Sequence, residues 1–132
     1  MRSRNSPLAA LLASAALALA AHGAAAQAAR GSVRILVQSS PLAGFRYHAA
    51  SEVWTDLRVG DRLELAREAD NPYDPSAVAV FWRGRKLGYL PKRENRAVAW
   101  ALDRGDGLTA RIAVLAEHPN PARRLRIDVT IE

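Results

Sequence analysis

The sequence has no cysteine. That excludes disulfide staples and thiolate metal sites together, so any core must hold by packing alone. Histidine is nearly as scarce. His22, His48 and His118 are far apart and lack the spacing of a ligand set, so no metal or other cofactor is expected. No glycine-rich loop leads into Lys-Ser or Lys-Thr to cradle a phosphate, and no Gly-x-Ser-x-Gly turn presents a nucleophile. Asp70 and Asp74 are the nearest approach to a carboxylate pair, but aspartates are routine in turns, where they bond their own backbone. The residues point to a binding module with no catalytic set. Lysine is confined to Lys86 and Lys92, and the remaining positive charge is arginine, whose fork suits phosphate and carboxylate. The formal net charge of +6 includes Arg2 and Arg4, and the excess left without them is too mild to announce a nucleic-acid binder.

What is present begins with an export signal. Arg2 and Arg4 precede PLAALLASAALALAAHG, an uncharged Ala/Leu run, and Ala26-Gln27-Ala28 then supplies the small-x-small pattern that signal peptidase accepts. The run is too short and too alanine-rich for a good membrane span, which wants about 20 strongly apolar residues. The expectation is a signal peptide over 1–28, with cleavage after Ala28 or, as the close alternative, after Ala26. The mature protein is then a periplasmic or secreted single domain over 29–132, with no membrane span.

Beyond residue 30 the apolar residues alternate. Val33, Ile35 and Val37 predict a half-buried strand over 32–38, and RLELARE (62–68) a second one. Between them, 50–59 suits a short helix with Val53, Trp54 and Leu57 on one side, closed by a turn at Gly60-Asp61. Pro72 and Pro75 fix a turn around Asn71, Tyr73 and Asp74, after which AVAVFW (77–82) is a buried strand. Arg83-Gly84 turns that strand into RKLGYL (85–90), where Gly88 marks a bulge or a close backbone approach. Pro91 can open a helix carrying Ala97, Val98, Ala101 and Leu102 on one face, with Trp100 at its edge and Gly105 as the stop. Leu108, Ala110, Ile112 and Val114 alternate in 108–117, and Leu125, Ile127, Val129 and Ile131 in the last strand. Six strands, one clear helix and short connections predict a mainly β (α+β) fold, a small six-stranded curled sheet or barrel.

Aromatic and basic residues gather in the loops of this plan: Arg46 and Tyr47, Tyr73 in the proline turn, Tyr89 beside Gly88, and Lys92 with Arg93 at the expected helix start. Rings that stack on bases beside cations that take phosphates would make a single-strand nucleic-acid site. Rim packing with a solvated basic face accounts for the same spacing.

Taken together, GFRYH (44–48), L-x-L-x-RE-x-DNPYDPSAVAV (63–80), KLGYLPK-x-x-N (86–95) and ALDRGDGLTARI (101–112) resemble the HIRAN domain over nearly the whole of 29–132. The resemblance implies a barrel of the modified oligonucleotide-binding type. It also implies recognition of DNA, with preference for a free 3′ single-stranded end. Carried over by position, the contacts fall on Arg46, Tyr47, Asn71, Tyr73, Asp74, Tyr89 and Lys92. Tyr89 stands where the eukaryotic DNA-binding members carry histidine, and His48 where they carry a second tyrosine. The expected function is a nucleic-acid-binding module for single-stranded DNA ends. The alternative is an envelope module that binds protein or glycan and has kept the barrel without the DNA site. The protein partner is not given by the sequence.

Overall fold

The structure is a computed structural model that describes residues 31–132; the expected signal peptide lies outside the described residues. Six strands form one antiparallel sheet in the order β1-β6-β5-β2-β3-β4. They are β1 (Ile35–Pro41), β2 (Arg62–Glu68), β3 (Ala77–Trp82), β4 (Arg85–Tyr89), β5 (Leu108–Leu115) and β6 (Leu125–Ile131). Among the described residues two α-helices accompany the sheet, α1 (Ala50–Val53), continued by a 3-10 turn over Trp54–Asp56, and α2 (Arg96–Asp103).

The bounds of β2 and β3 match the sequence expectation, and so does the hairpin after β3. Arg83 and Gly84 both take positive φ, 47° and 76°, the pairing a two-residue hairpin with right-handed strand twist demands. β3 is buried at Ala77, Val78, Ala79, Val80 and Trp82, and its central position between β2 and β4 explains why it reads as an unbroken apolar run. Leu63, Val78, Val80, Leu87, Ile112, Leu125, Ile127 and Val129 form the centre of the core. Val98 and Ala99 of α2 and Val53 of α1 join the same cluster.

Four expectations need correction. The sheet does not close into a barrel: β1 and β4 remain its edges, and an isolated bridge links Tyr89 of β4 to Ala43, beyond the end of β1. The first strand starts later than expected, and Val33, Ile35 and Val37 are exposed. It pairs with β6 alone, and only its far end, at Ser40, reaches the core. Val114 also points outward, because a register shift between Ile112 and Val114 inserts a residue opposite β6 and reverses the alternation. Finally, α2 begins at Arg96 and not at Pro91. Residues 91–94 form a turn closed by the Glu94 N–H donating to the Pro91 carbonyl at 3.1 Å, so Lys92 and Arg93 precede the helix and do not occupy its first turn. On the helix itself Ala97 is exposed, while Val98, Ala99 and Ala101 are buried.

Gly88 meets both of its expected roles. The register between β3 and β4 shifts beside it, and a Cβ at this position would lie 2.2 Å from the Ala43 carbonyl oxygen. That approach lets the Ala43 N–H donate to the Tyr89 carbonyl at 2.8 Å and the Tyr89 N–H to the Ala43 carbonyl at 2.9 Å. The bridge pulls the 44–48 loop onto the end of β4.

Candidate functional site

Two neighbouring cavities flank this bridge, and they collect all seven residues singled out from the sequence. Asn71, Tyr73, Asp74, Tyr89 and Lys92 line one of about 480 Å³, floored by Ala77 and Leu90. Arg46 and Tyr47 line the other, of about 310 Å³, with Asn120 and Pro121 opposite. Ala43 belongs to both walls. Tyr47 is 85% exposed and Tyr73 84% exposed, so each presents nearly a whole ring to solvent.

The proline turn that carries Tyr73 is built by its own polar side chains. The Asn71 Oδ1 accepts from the Tyr73 N–H at 2.9 Å, and the Asp74 Oδ1 from the Ser76 N–H at 2.9 Å. Such side-chain-to-backbone bonds are what favour Asn and Asp in turns. The Asp74 Oδ2 accepts from Nδ2 of the buried Asn95 at 2.7 Å. Lys92 Nζ donates to the Tyr73 carbonyl at 2.7 Å, leaving two ammonium protons for another acceptor. Tyr47 sits in a 3-10 turn over Phe45–Tyr47, entered through Gly44 at φ 78° and anchored by the buried Phe45.

Behind this rim lies a polar knot that the sequence reading missed. Glu68 at the end of β2 accepts from Lys86 Nζ at 2.8 Å through one oxygen. Through the other it accepts from the Tyr89 hydroxyl at 2.9 Å and Asn71 Nδ2 at 3.3 Å. Lys86 also donates to the Tyr89 hydroxyl oxygen at 2.5 Å. The bond from Lys86 holds the Glu68 carboxyl below its usual range, against an opposing effect of burial and with help from Tyr89 and Asn71. Burial alone would lower the Lys86 ammonium, but its bonds to Glu68 and Tyr89 outweigh that and raise it. His48 stands edge-on to the Tyr89 ring, centroids 5.5 Å apart. Its pKa is lowered first by burial and then by the charge of Lys86, with Glu68 opposing.

Arg67 is a second omission. Its fork takes both oxygens of Asp103 at the end of α2, at 2.9 and 3.3 Å, and the same guanidinium donates to the carbonyls of Pro75 and Ala77. It ties the proline turn to the helix. Arg67 and Glu68 form the Arg-Glu pair of the 63–80 motif, but the motif does not say what they bond, because Lys86, Tyr89 and Asp103 reach them only through the fold.

The HIRAN domain model matches residues 35–132. The chain belongs to the HIRAN domain family. HIRAN domains are known as nucleic-acid-binding modules. Among solved structures, a crystal structure of a protein from Lactobacillus plantarum is similar at 28% identity and a TM-score of 0.64, covering 76% of this chain and 97% of that one. The HIRAN domain of human HLTF shares the fold at 22% identity and a TM-score of 0.57, covering 74% of this chain and 78% of that one. No curated protein matches the chain.

Proposed function

We propose that this HIRAN domain binds the 3′-hydroxyl end of single-stranded DNA in the cavity between Tyr73 and Tyr89, as a binding module and not as an enzyme. One observation carries the reading: two almost fully exposed tyrosines, Tyr47 and Tyr73, rim adjoining cavities, and the wall of one of them contains a carboxylate. Exposed rings offer stacking surface to terminal bases. Arg46 and the free protons of Lys92 are placed to pair with phosphates.

Asp74 supplies the end preference. Each of its oxygens already accepts one protein hydrogen bond, but a carboxylate offers about four acceptor sites. It can still accept from a terminal hydroxyl, whereas it repels a terminal phosphate as a like charge. Tyr89 contributes differently. Its hydroxyl proton goes to Glu68, so towards a ligand this phenol acts as an acceptor and as a ring edge.

The signal-like residues 1–28 support action outside the cytoplasm, on extracellular or incoming DNA. Fluorescence anisotropy with the same oligonucleotide ending in a 3′-hydroxyl or a 3′-phosphate tests the reading. The hydroxyl end is expected to bind more tightly, with an affinity that falls steeply as salt rises. Equal affinity for the two ends would overturn the role of Asp74, and no binding at low salt would overturn the DNA reading in favour of a protein or glycan ligand.

A further inference from the structure

A third cavity lies across the 118–124 loop from Arg46 and Tyr47. It has a volume of about 480 Å³ and is lined by Trp54, Glu117, His118, Pro119 and Arg124. The loop separates it from its neighbour, with Pro119 in one wall and Asn120 in the next. None of these five residues takes part in the end-binding site.

The chemistry of the third cavity repeats that of the other two. Trp54 is half-buried and held edge-on against Phe45, ring centroids 5.7 Å apart. Arg124 donates from Nε to the His118 carbonyl at 2.6 Å and stands over the Phe45 ring at 5.4 Å. Its two terminal nitrogens make no hydrogen bond among the described residues, so their donors remain for a ligand. His118 accepts from the Asn120 N–H through Nδ1 at 2.9 Å. That bond assigns the proton of the neutral ring to Nε2, which becomes a donor.

Three successive cavities therefore each hold an aromatic ring and a cation: Tyr73 with Lys92, Tyr47 with Arg46, and Trp54 with Arg124. A ring beside a cation, repeated along one surface, is the complement of a base beside a phosphate, repeated along one strand. We propose that the third cavity is a further nucleotide subsite, in which Trp54 receives a base while Arg124 and His118 receive a phosphate of the strand whose end lies at Tyr73. The domain then grips a run of single strand and not only its terminal nucleotide. Glu117, exposed beside the cavity, repels phosphate on its own side as a like charge.

This subsite rests on the end-binding reading, and a length series separates the two. The probes are oligodeoxycytidylates with a 3′-hydroxyl, one a dinucleotide and one of about eight nucleotides, within the usual footprint of such grooves. The full-length protein is expected to bind the longer one about tenfold more tightly, the gain typical of one added stacking contact. His118→Ala with Arg124→Gln should abolish that gain and leave dinucleotide affinity unchanged. Glu117→Lys, at an exposed position without a hydrogen bond among the described residues, should strengthen binding of the longer probe alone. Equal affinity of the wild-type protein for both lengths, with the dinucleotide still bound, overturns the subsite and spares the end site. A double variant that weakens both probes alike, or a Glu117→Lys variant without effect, also overturns it. Failure of both probes to bind removes the end site and the subsite together.

Discussion

Asn95 is 1% exposed and donates from Nδ2 to Oδ2 of Asp74 at 2.7 Å. The most buried amide side chain among the described residues thus secures the turn that carries the rim. Asn95→Ala leaves that oxygen of Asp74 without its protein partner, and a lost buried hydrogen bond costs about 1–3 kcal/mol. Urea unfolding should show a loss of that size, and Asn95→Asp should be worse, because it faces one carboxylate with another. An Asn95→Ala variant as stable as the parent would show that the turn holds without this bond.

Gly88 tolerates no side chain. In Gly88→Ala the new Cβ meets the Ala43 carbonyl oxygen, part of the backbone and unable to rotate away. Overpacking of this kind costs about 1–3 kcal/mol. The loss should be local first: hydrogen exchange at the Ala43 and Tyr89 amides should speed up before that of Ile127, and ligand affinity should fall with it.

Falling pH should lower the stability of the domain in two steps. His48 is favoured neutral in the folded state, mainly by burial, so its contribution is present above its ordinary value of 6.5 and is lost as pH falls through the lowered one. Glu68 is favoured ionised, so its contribution is present above the usual carboxylate range and is lost only at still lower pH. Lys86 acts at the other end, where its contribution holds below its ordinary value of 10.5 and is lost as pH rises through the raised one. Urea midpoints measured across pH should therefore show a plateau around neutrality. His48→Gln should flatten the upper part of the acid limb and Glu68→Gln the lower part.

On the rim, the ring of Tyr73 should matter more than its hydroxyl. Tyr73→Ala should cost about 1–3 kcal/mol of oligonucleotide binding, the range for a lost stacking partner, and Tyr73→Phe much less. Arg46→Ala should reduce the salt slope by about one phosphate's share. Because Tyr73 is exposed, thermal stability should hardly change in either Tyr73 variant, and a large drop would mean that the ring packs against the fold in solution.

Much of this architecture could be read from the chain because burial there follows local alternation. Leu63, Val80, Ile127 and Val129 lie where a period of two puts them. Reading failed wherever a distant partner overrode the local pattern. The apolar residues of β1 looked like a core stripe, but the strand has only β6 beside it and half its length stays in solvent. Val114 kept the alternation in sequence and lost it in space at an inserted residue. Pro91 is a good first helical residue, yet the turn and the Asn95–Asp74 bond delay the helix to Arg96. In the site, the rim residues were legible through a family motif, whereas Glu68 and Lys86 meet only once β2, β3 and β4 are side by side. No spacing rule links a residue at the end of one strand to another 18 positions away.

The pairing of Ile35 with Ile131 has a mechanical consequence. β1 runs from that pair to Pro41, beside the rim, so the chain enters and leaves the sheet side by side, about 20 Å from the site at the usual rise per residue. A tether on either end leaves the tyrosines clear. Tension applied between the two ends, however, would peel β1 from β6 one hydrogen bond at a time and not shear the whole ladder at once. Under force the domain should open from the end opposite its rim, at loads well below those a sheared pair of strands withstands.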